Sequence, residues 1–171
     1  LQALALQIGQ EISYNELAQN FGVKLETIER YITLLESCYV VYRLPALSGN
    51  RPAGVSNRKR KVYFYDLGIR NALIQSLQPM GMRADKEALW ENFCQNERMK
   101  WWQGQPKTTT RYYWRGLYGE VDLVEIANGK EQAYEFRSEE QKVNVPKYFK
   151  EAYPQARLEL IHQKNFLDWL K

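Results

Sequence analysis

Ligand-forming residues are scarce in this sequence. Among 171 residues there is one histidine, His162, and there are two cysteines, Cys38 and Cys94. A zinc centre or a cysteine–histidine catalytic pair needs such residues at short spacing, and no such constellation is present. The two cysteines stand far apart, and both are expected to be buried small hydrophobes in a reducing, cytoplasmic compartment. His162 follows the apolar run Leu158–Ile161 and is expected to be structural, at a strand end. No Gly-rich loop of the GxxxxGK[ST] type occurs, so this stretch cannot cradle ATP phosphates by that route. No apolar run approaches the length that spans a bilayer, and no signal peptide is recognisable, so no membrane partner is expected. The chain opens on Leu1, inside an apolar helical pattern and not on a Met, which reads as a piece of a longer protein.

Other resources are ample. Hydrophobic residues make up 44% and charged residues 26%, and twelve Tyr and five Trp supply core volume for one domain or two small ones. The net charge of +4 is unevenly placed. Residues 1–46 sum to −2, and residues 47–61 carry Arg51, Arg58, Lys59, Arg60 and Lys61 with no acid. The basicity is therefore one local patch, suited to phosphate backbones or an acidic protein surface.

The first third predicts a helix-turn-helix. Ser13 and Glu16 form a capping box, Gly22 makes a turn, and a second helix follows over about residues 25–36. Leu25, Ile28, Ile32 and Leu35 recur at helical spacing and form a buried stripe, with Leu17, Ala18 and Phe21 against it. Residues 39–44 and 61–65 read as strands of a hairpin wing, with 45–60 as a long basic loop. The arrangement is a winged helix over residues 1–66. Its second helix carries Glu26, Glu29, Arg30 and Glu36, and this acidic balance favours a structural or protein-contact role over major-groove reading. The wing loop remains the expected phosphate-binding element, through Arg51, Arg58, Lys59, Arg60 and Lys61.

Residues 67–171 predict a second, α/β domain, and the chain as a whole falls in the mixed α+β to α/β class. After a helix over 69–76 and a link over 79–84, the order is α-β-β-β-α-β-α. The elements are 86–101, 111–115, two central strands, 145–153, 157–162 and 165–170. The central strands are Gly119–Ile126 and Ala133–Arg137. Asn128-Gly129 between them signals a type I′ hairpin. Alternation puts Glu120, Asp122, Val124 and Ile126 on one face, and Ala133, Glu135 and Arg137 on one face of the partner. Asp122 and Glu135 then lie together with a cation beside them. Paired carboxylates on adjacent strands can hold Mg²⁺, and a bound metal can activate water.

Asp, a gap, then Glu-x-cation resembles the PD-(D/E)xK nuclease signature, and the element order resembles that fold's core. By that resemblance Glu91 on the preceding helix joins Asp122 and Glu135, with Glu87 a weaker candidate. More specifically, the whole chain resembles the C-terminal region of a family of bacterial and archaeal AAA+-type ATPases of uncharacterised role. The segments that carry this resemblance are 12–18, 30–36, 61–68, 90–93, 113–115, 119–122 and 134–137. The resemblance implies an ATP-binding P-loop domain upstream in the same chain.

That family usually has Glu-Val-Lys where this chain has Glu135-Phe136-Arg137. Arg stays protonated and cannot serve as a base. Its fork can pair with Asp122 or Glu135 and occupy the metal position, and Lys142 or Lys147 could supply a migrated amine. The expected function is an accessory recognition region, binding DNA or a protein and serving the ATPase, with a degenerate nuclease-like site and no cofactor of its own. The alternative is a Mg²⁺-dependent DNA endonuclease using Glu91, Asp122 and Glu135, assisted by Arg137.

Overall fold

The computed structural model describes residues 1–47, 60–106 and 109–171. The wing-loop residues Arg51, Arg58 and Lys59 lie outside the described residues. The fold is mixed α+β with two separate sheets.

The first sheet belongs to the N-terminal third. Helices α1 (Gln2–Leu6), α2 (Tyr14–Phe21) and α3 (Leu25–Ser37) pack beside strands β1 (Glu11–Ile12), β2 (Val41–Pro45) and β3 (Arg60–Phe64). The sheet order is β1-β3-β2, antiparallel throughout. Ser13 caps α2 by accepting the Glu16 N–H at 3.3 Å, as the capping box predicts. Gly22 ends α2 in the left-handed region, φ 62°, which favours a residue without a Cβ. Ile28 and Ile32 are buried with Leu17, Ala18, Val41, Val62 and Phe64. Leu25 and Leu35 are only half-buried, and Phe21 is exposed, so the apolar stripe is narrower than its spacing suggests. Cys38 is exposed just past the end of α3, and only Cys94 is a buried thiol.

Helix α4 (Leu67–Leu73) is capped by Asp66, which accepts the Ile69 N–H at 2.9 Å. It packs on α1, and its buried Arg70 donates Nε to the Ala5 carbonyl at 2.8 Å. Arg70 and Arg83 both reach Asp85, whose carboxyl is lowered to about 2, chiefly by its hydrogen bond to Arg83.

The second sheet has the order β4-β5-β6-β7, from β4 (Thr110–Gly116), β5 (Gly119–Ala127), β6 (Lys130–Phe136) and β7 (Arg157–Ile161). The first three strands are antiparallel, and β7 joins parallel to β6. Asn128 and Gly129 turn between β5 and β6 with φ of 53° and 70°, as a type I′ turn requires. Helix α5 (Lys86–Gln103) and helix α7 (Phe166–Trp169) cover one face. Trp90, Cys94, Leu123, Tyr134, Phe136, Ile161 and Trp169 are buried there. Helix α6 (Lys147–Ala152) supplies Phe149 to a second cluster with Trp114, Val121, Val124 and Ala133.

Several contacts join the sheets. Tyr42, Leu44 and Tyr63 from the first pack with Tyr113 of β4. Helix α5 also buries side-chain amides against the end of β3. The Asn92 amide accepts the Phe64 N–H at 2.9 Å and donates to the Phe64 carbonyl at 2.9 Å. Asn96 donates to the Phe64 and Tyr65 carbonyls and accepts the Tyr42 hydroxyl at 2.7 Å. Asn92 thus pairs with β3 as a neighbouring strand would. Asn92→Ala leaves the Phe64 N–H without this partner, while the Phe64 carbonyl keeps Asn96, and is expected to cost about 1–3 kcal/mol in urea unfolding, the range for one buried group. A loss below about 0.5 kcal/mol would contradict this.

Candidate functional site

The site lies where α5, β3 and the β5–β6 pair meet. Strand β5 brings Glu120 and Asp122, and its register against β4 is irregular. Val124 pairs with Tyr112 and Val121 with Trp114, so Asp122 and Leu123 together oppose Tyr113. This is a β-bulge, a device that re-aims side chains. Its effect shows in the packing, because Val121 and Val124 fall in one cluster although they are three apart. Strict alternation is therefore corrected: Glu120 and Asp122 both reach one cation, while Val124 belongs to the layer under α6.

Asp122 is fixed from three sides. Its Oδ2 accepts the Phe136 N–H at 2.9 Å and Arg137 Nη1 at 3.1 Å, and its carbonyl accepts Gln95 Nε2 at 3.0 Å. Arg137 also brings Nη2 to 2.9 Å from Glu135 Oε2. That second contact is too poorly aligned for a hydrogen bond, so Glu135 Oε2 is buried without one. Arg137 therefore spans Asp122 and Glu135, as the forked side chain predicts.

Lys61 is the residue that the sequence misplaced. The charge run 58–61 reads as an exposed wing loop, yet Lys61 is a β3 residue with its side chain 1% exposed. Its Nζ lies 2.9 Å from Glu91 Oε1, contacts Glu120 Oε1, and lies 3.9 Å from Asp122 Oδ1. Tyr63, two residues along the same strand, donates its hydroxyl to the same Glu91 oxygen at 2.6 Å. Only an inward-facing i, i+2 pair can do this. Of the five expected phosphate contacts, Lys61 is thus sequestered, and Arg60 sits in β3 paired to Ile12 and Pro45.

Glu91, Asp122, Glu135 and Arg137 all fall in this one cluster, with Glu120 and Lys61 added. Glu87 does not join it; it accepts the Ser138 N–H at 2.8 Å and the Ser138 hydroxyl. Lys142 and Lys147 are exposed, and Lys147 pairs only loosely with Glu151, at 3.9 Å. The amine that reaches the cluster is that of Lys61, from the other sheet.

Burial and crowding shift protons here. Glu135 is pushed up to about 9 by burial and by the neighbouring Asp122 charge, against the partial relief of Arg137. Glu91 is raised to about 7, mainly by burial, which Lys61 offsets only in part. Burial opposes charge on Lys61, but Glu91, Asp122 and Glu120 outweigh it and raise the ammonium above its ordinary value. Glu135 therefore carries its proton at neutral pH, beside the Asp122 carboxylate. Both glutamates lie above their ordinary 4.5, so the folded state binds more protons than the unfolded chain. Their stabilising contribution is complete below that value and is lost as pH rises through about 7 and then about 9. Urea midpoints are expected to fall between about pH 5 and about pH 8, and Glu135→Gln to reduce that fall. A midpoint that rises over the interval would refute the assignment.

The carboxylates do not fit a divalent ion as they stand. Each already meets a side-chain cation, and among the described residues no group of three or more His, Cys, Asp or Glu is arranged to hold a metal. His162 stands outside the cluster; its Nδ1 accepts the Lys164 N–H at 3.3 Å, a local role at the end of β7.

Comparison with known proteins divides the chain in two. Residues 1–80 match a family model described as a domain of unknown function, DUF8612. Residues 86–167 match a second domain of unknown function, DUF4143, a domain typically found with AAA ATPases. No curated protein and no solved structure gives a significant match.

Proposed function

We propose that this chain is an accessory recognition region of an AAA+-type ATPase, binding DNA or a protein, and that its nuclease-like carboxylate site is neutralised from within. In this reading residues 1–47 and β3 form a winged-helix unit, and the β4–β7 sheet with α5 and α6 forms a PD-(D/E)xK-like core. The carrying observation is the pair of tethered cations. Lys61 sits among Glu91, Glu120 and Asp122, and Arg137 spans Asp122 and Glu135. A hydrolytic metal site needs carboxylate oxygens free to bind the ion and a position for water. Here at least one oxygen of each carboxylate already faces a side-chain cation, and the side chains of Asp122 and Glu135 are 7% and 6% exposed. The match to a domain that accompanies AAA ATPases supports the ATPase context, with ATP bound by another domain of the same protein.

The test is plasmid cleavage by the full-length protein with Mg²⁺ or Mn²⁺. No cutting above the level of an Asp122→Ala control is expected. Metal-dependent cutting that vanishes in Asp122→Ala would restore the endonuclease reading with Glu91, Asp122 and Glu135 as its acids.

A further inference from the structure

The β4–β5 turn carries the most exposed apolar side chains of the second sheet. Leu117 is 84% and Tyr118 82% exposed. Tyr118 does not wave free, because its ring lies against Tyr148 of α6, with centroids 6.1 Å apart and planes 23° from parallel. Tyr148 and Val145 are themselves exposed. The backbone beneath is pressed together, since a Cβ on Gly119 would fall 2.8 Å from Pro146 Cβ. Phe149, next to Tyr148, is buried edge-on against Trp114 of β4 and anchors α6. The two tyrosines are thus a preorganised, near-parallel pair on a rigid seat.

The segment that carries Tyr148 is locally basic, with Glu140 before it and Glu151, which pairs loosely with Lys147, after it. Residues 141–150 contain Lys142, Lys147 and Lys150 and no acidic residue, and all three lysines are exposed. Neither the fold nor the carboxylate cluster uses these lysines or these rings. Flat aromatic faces with flexible cations beside them match a ligand of stacked rings strung on phosphates. A duplex hides its base faces, whereas a single strand offers them.

We propose that Tyr118 and Tyr148, with Lys142, Lys147 and Lys150, form a docking surface for single-stranded nucleic acid. The proposal rests on the recognition part of the function above and names its partner class; it is independent of the carboxylate site and of the ATPase context. One base stacks on the outward face of Tyr118, and the lysines follow the phosphates.

Binding of labelled oligothymidylate and oligouridylate of about 20 nucleotides to the full chain, followed by anisotropy, tests this. Both strands are expected to bind at low salt, and a duplex of equal length more weakly. Tyr118→Ala weakens binding about 5- to 100-fold, the loss of one stacked base, while Tyr118→Phe and Tyr148→Phe keep the rings and stay within about two-fold. Lys142→Ala with Lys147→Ala and Lys150→Ala flattens the log–log salt dependence by up to about 2, at roughly 0.7 per phosphate on a single strand. The side chain of Tyr118 is exposed, so its variants are expected to melt with the parent. Equal affinity of Tyr118→Ala and parent overturns the proposal, as does equal loss in Tyr118→Phe and Tyr118→Ala. Failure of the parent to bind either strand also overturns it and reassigns the face to a protein partner. None of these outcomes bears on plasmid cleavage, so the two readings fail separately.

Discussion

Replacing Lys61 with Ala is expected to destabilise the folded chain by about 3–5 kcal/mol, the range for removing one partner of a buried ion pair. Stability of a domain is of the order of 5–15 kcal/mol, so the loss takes a large share of the margin. The cause is not loss of attraction alone. The Lys61 ammonium is the shared counter-charge of Glu91 and Glu120 and lies 3.9 Å from Asp122. Without it, Glu91 loses its only side-chain cation among the described residues, while Glu120 keeps Arg115 and Asp122 keeps Arg137. Lys61→Met keeps most of the stem and separates the charge effect from the packing effect. Glu91→Gln in the Lys61→Met background should recover part of the loss, because one stranded charge is then gone. Urea unfolding of the parent, Lys61→Met, Glu91→Gln and the double variant measures this as a double-mutant cycle. A Lys61→Met variant within about 0.5 kcal/mol of the parent would mean that the ammonium does not compensate the cluster. The same reasoning decides how wing binding is probed. A block substitution of residues 58–61 would report unfolding through Lys61 before it reported any lost phosphate contact.

Much of this architecture was legible because short-range signals set it. Ser13 with Glu16, Gly22, and Asn128-Gly129 each act within four residues, and each forms the cap or turn that its chemistry dictates. The Asp122, Glu135 and Arg137 grouping was legible because one hairpin sets it. What stayed hidden depends on register and on distant partners. The bulge at Asp122–Leu123 puts two residues opposite Tyr113, and nothing in Gly119–Ile126 marks which strand carries the extra residue. Lys61 adjoins a basic run, and solvated charge is the usual fate of such a run. Its burial follows from the β3 register, which turns Lys61 and Tyr63 together toward Glu91. One sign was present: Lys61 and Tyr63 alternate with Val62 and Phe64 in a strand buried on both sides. Helix α5 hid its role differently. Asn92, Gln95, Asn96 and Arg98 are buried, so its apolar pattern alone could not show which face turns inward.

Arg98 gives the other large effect. Its Nε and Nη2 contact both oxygens of Glu125 at 2.8–3.1 Å, Nη2 reaches the Tyr134 hydroxyl at 3.0 Å, and Nη1 donates to the Trp169 carbonyl at 3.0 Å. The guanidinium lies 4.3 Å from the Trp101 ring centroid and 4.8 Å from that of Trp169. Trp102 donates Nε1 to Glu125 at 2.6 Å, so the acid is held from both sides. The pair is buried, and it ties α5 to β5, β6 and α7. Arg98→Ala is expected to cost about 3–5 kcal/mol, because Glu125 is then buried without its cation. Arg98→Lys should recover less than half of that, since a single ammonium cannot reproduce the fork, the carbonyl bond and the ring contacts together. Replacing both charges, Arg98→Met with Glu125→Leu, should lie closer to the parent than Arg98→Ala does, since no lone charge is left inside. Hydrogen exchange locates the damage: amides of 166–171 should exchange faster in Arg98→Ala than in the parent, because the bond from Arg98 to the Trp169 carbonyl no longer holds α7. If Arg98→Ala and the double variant lose equal stability, the cost is packing around Trp101 and Trp169 and not the stranded carboxylate.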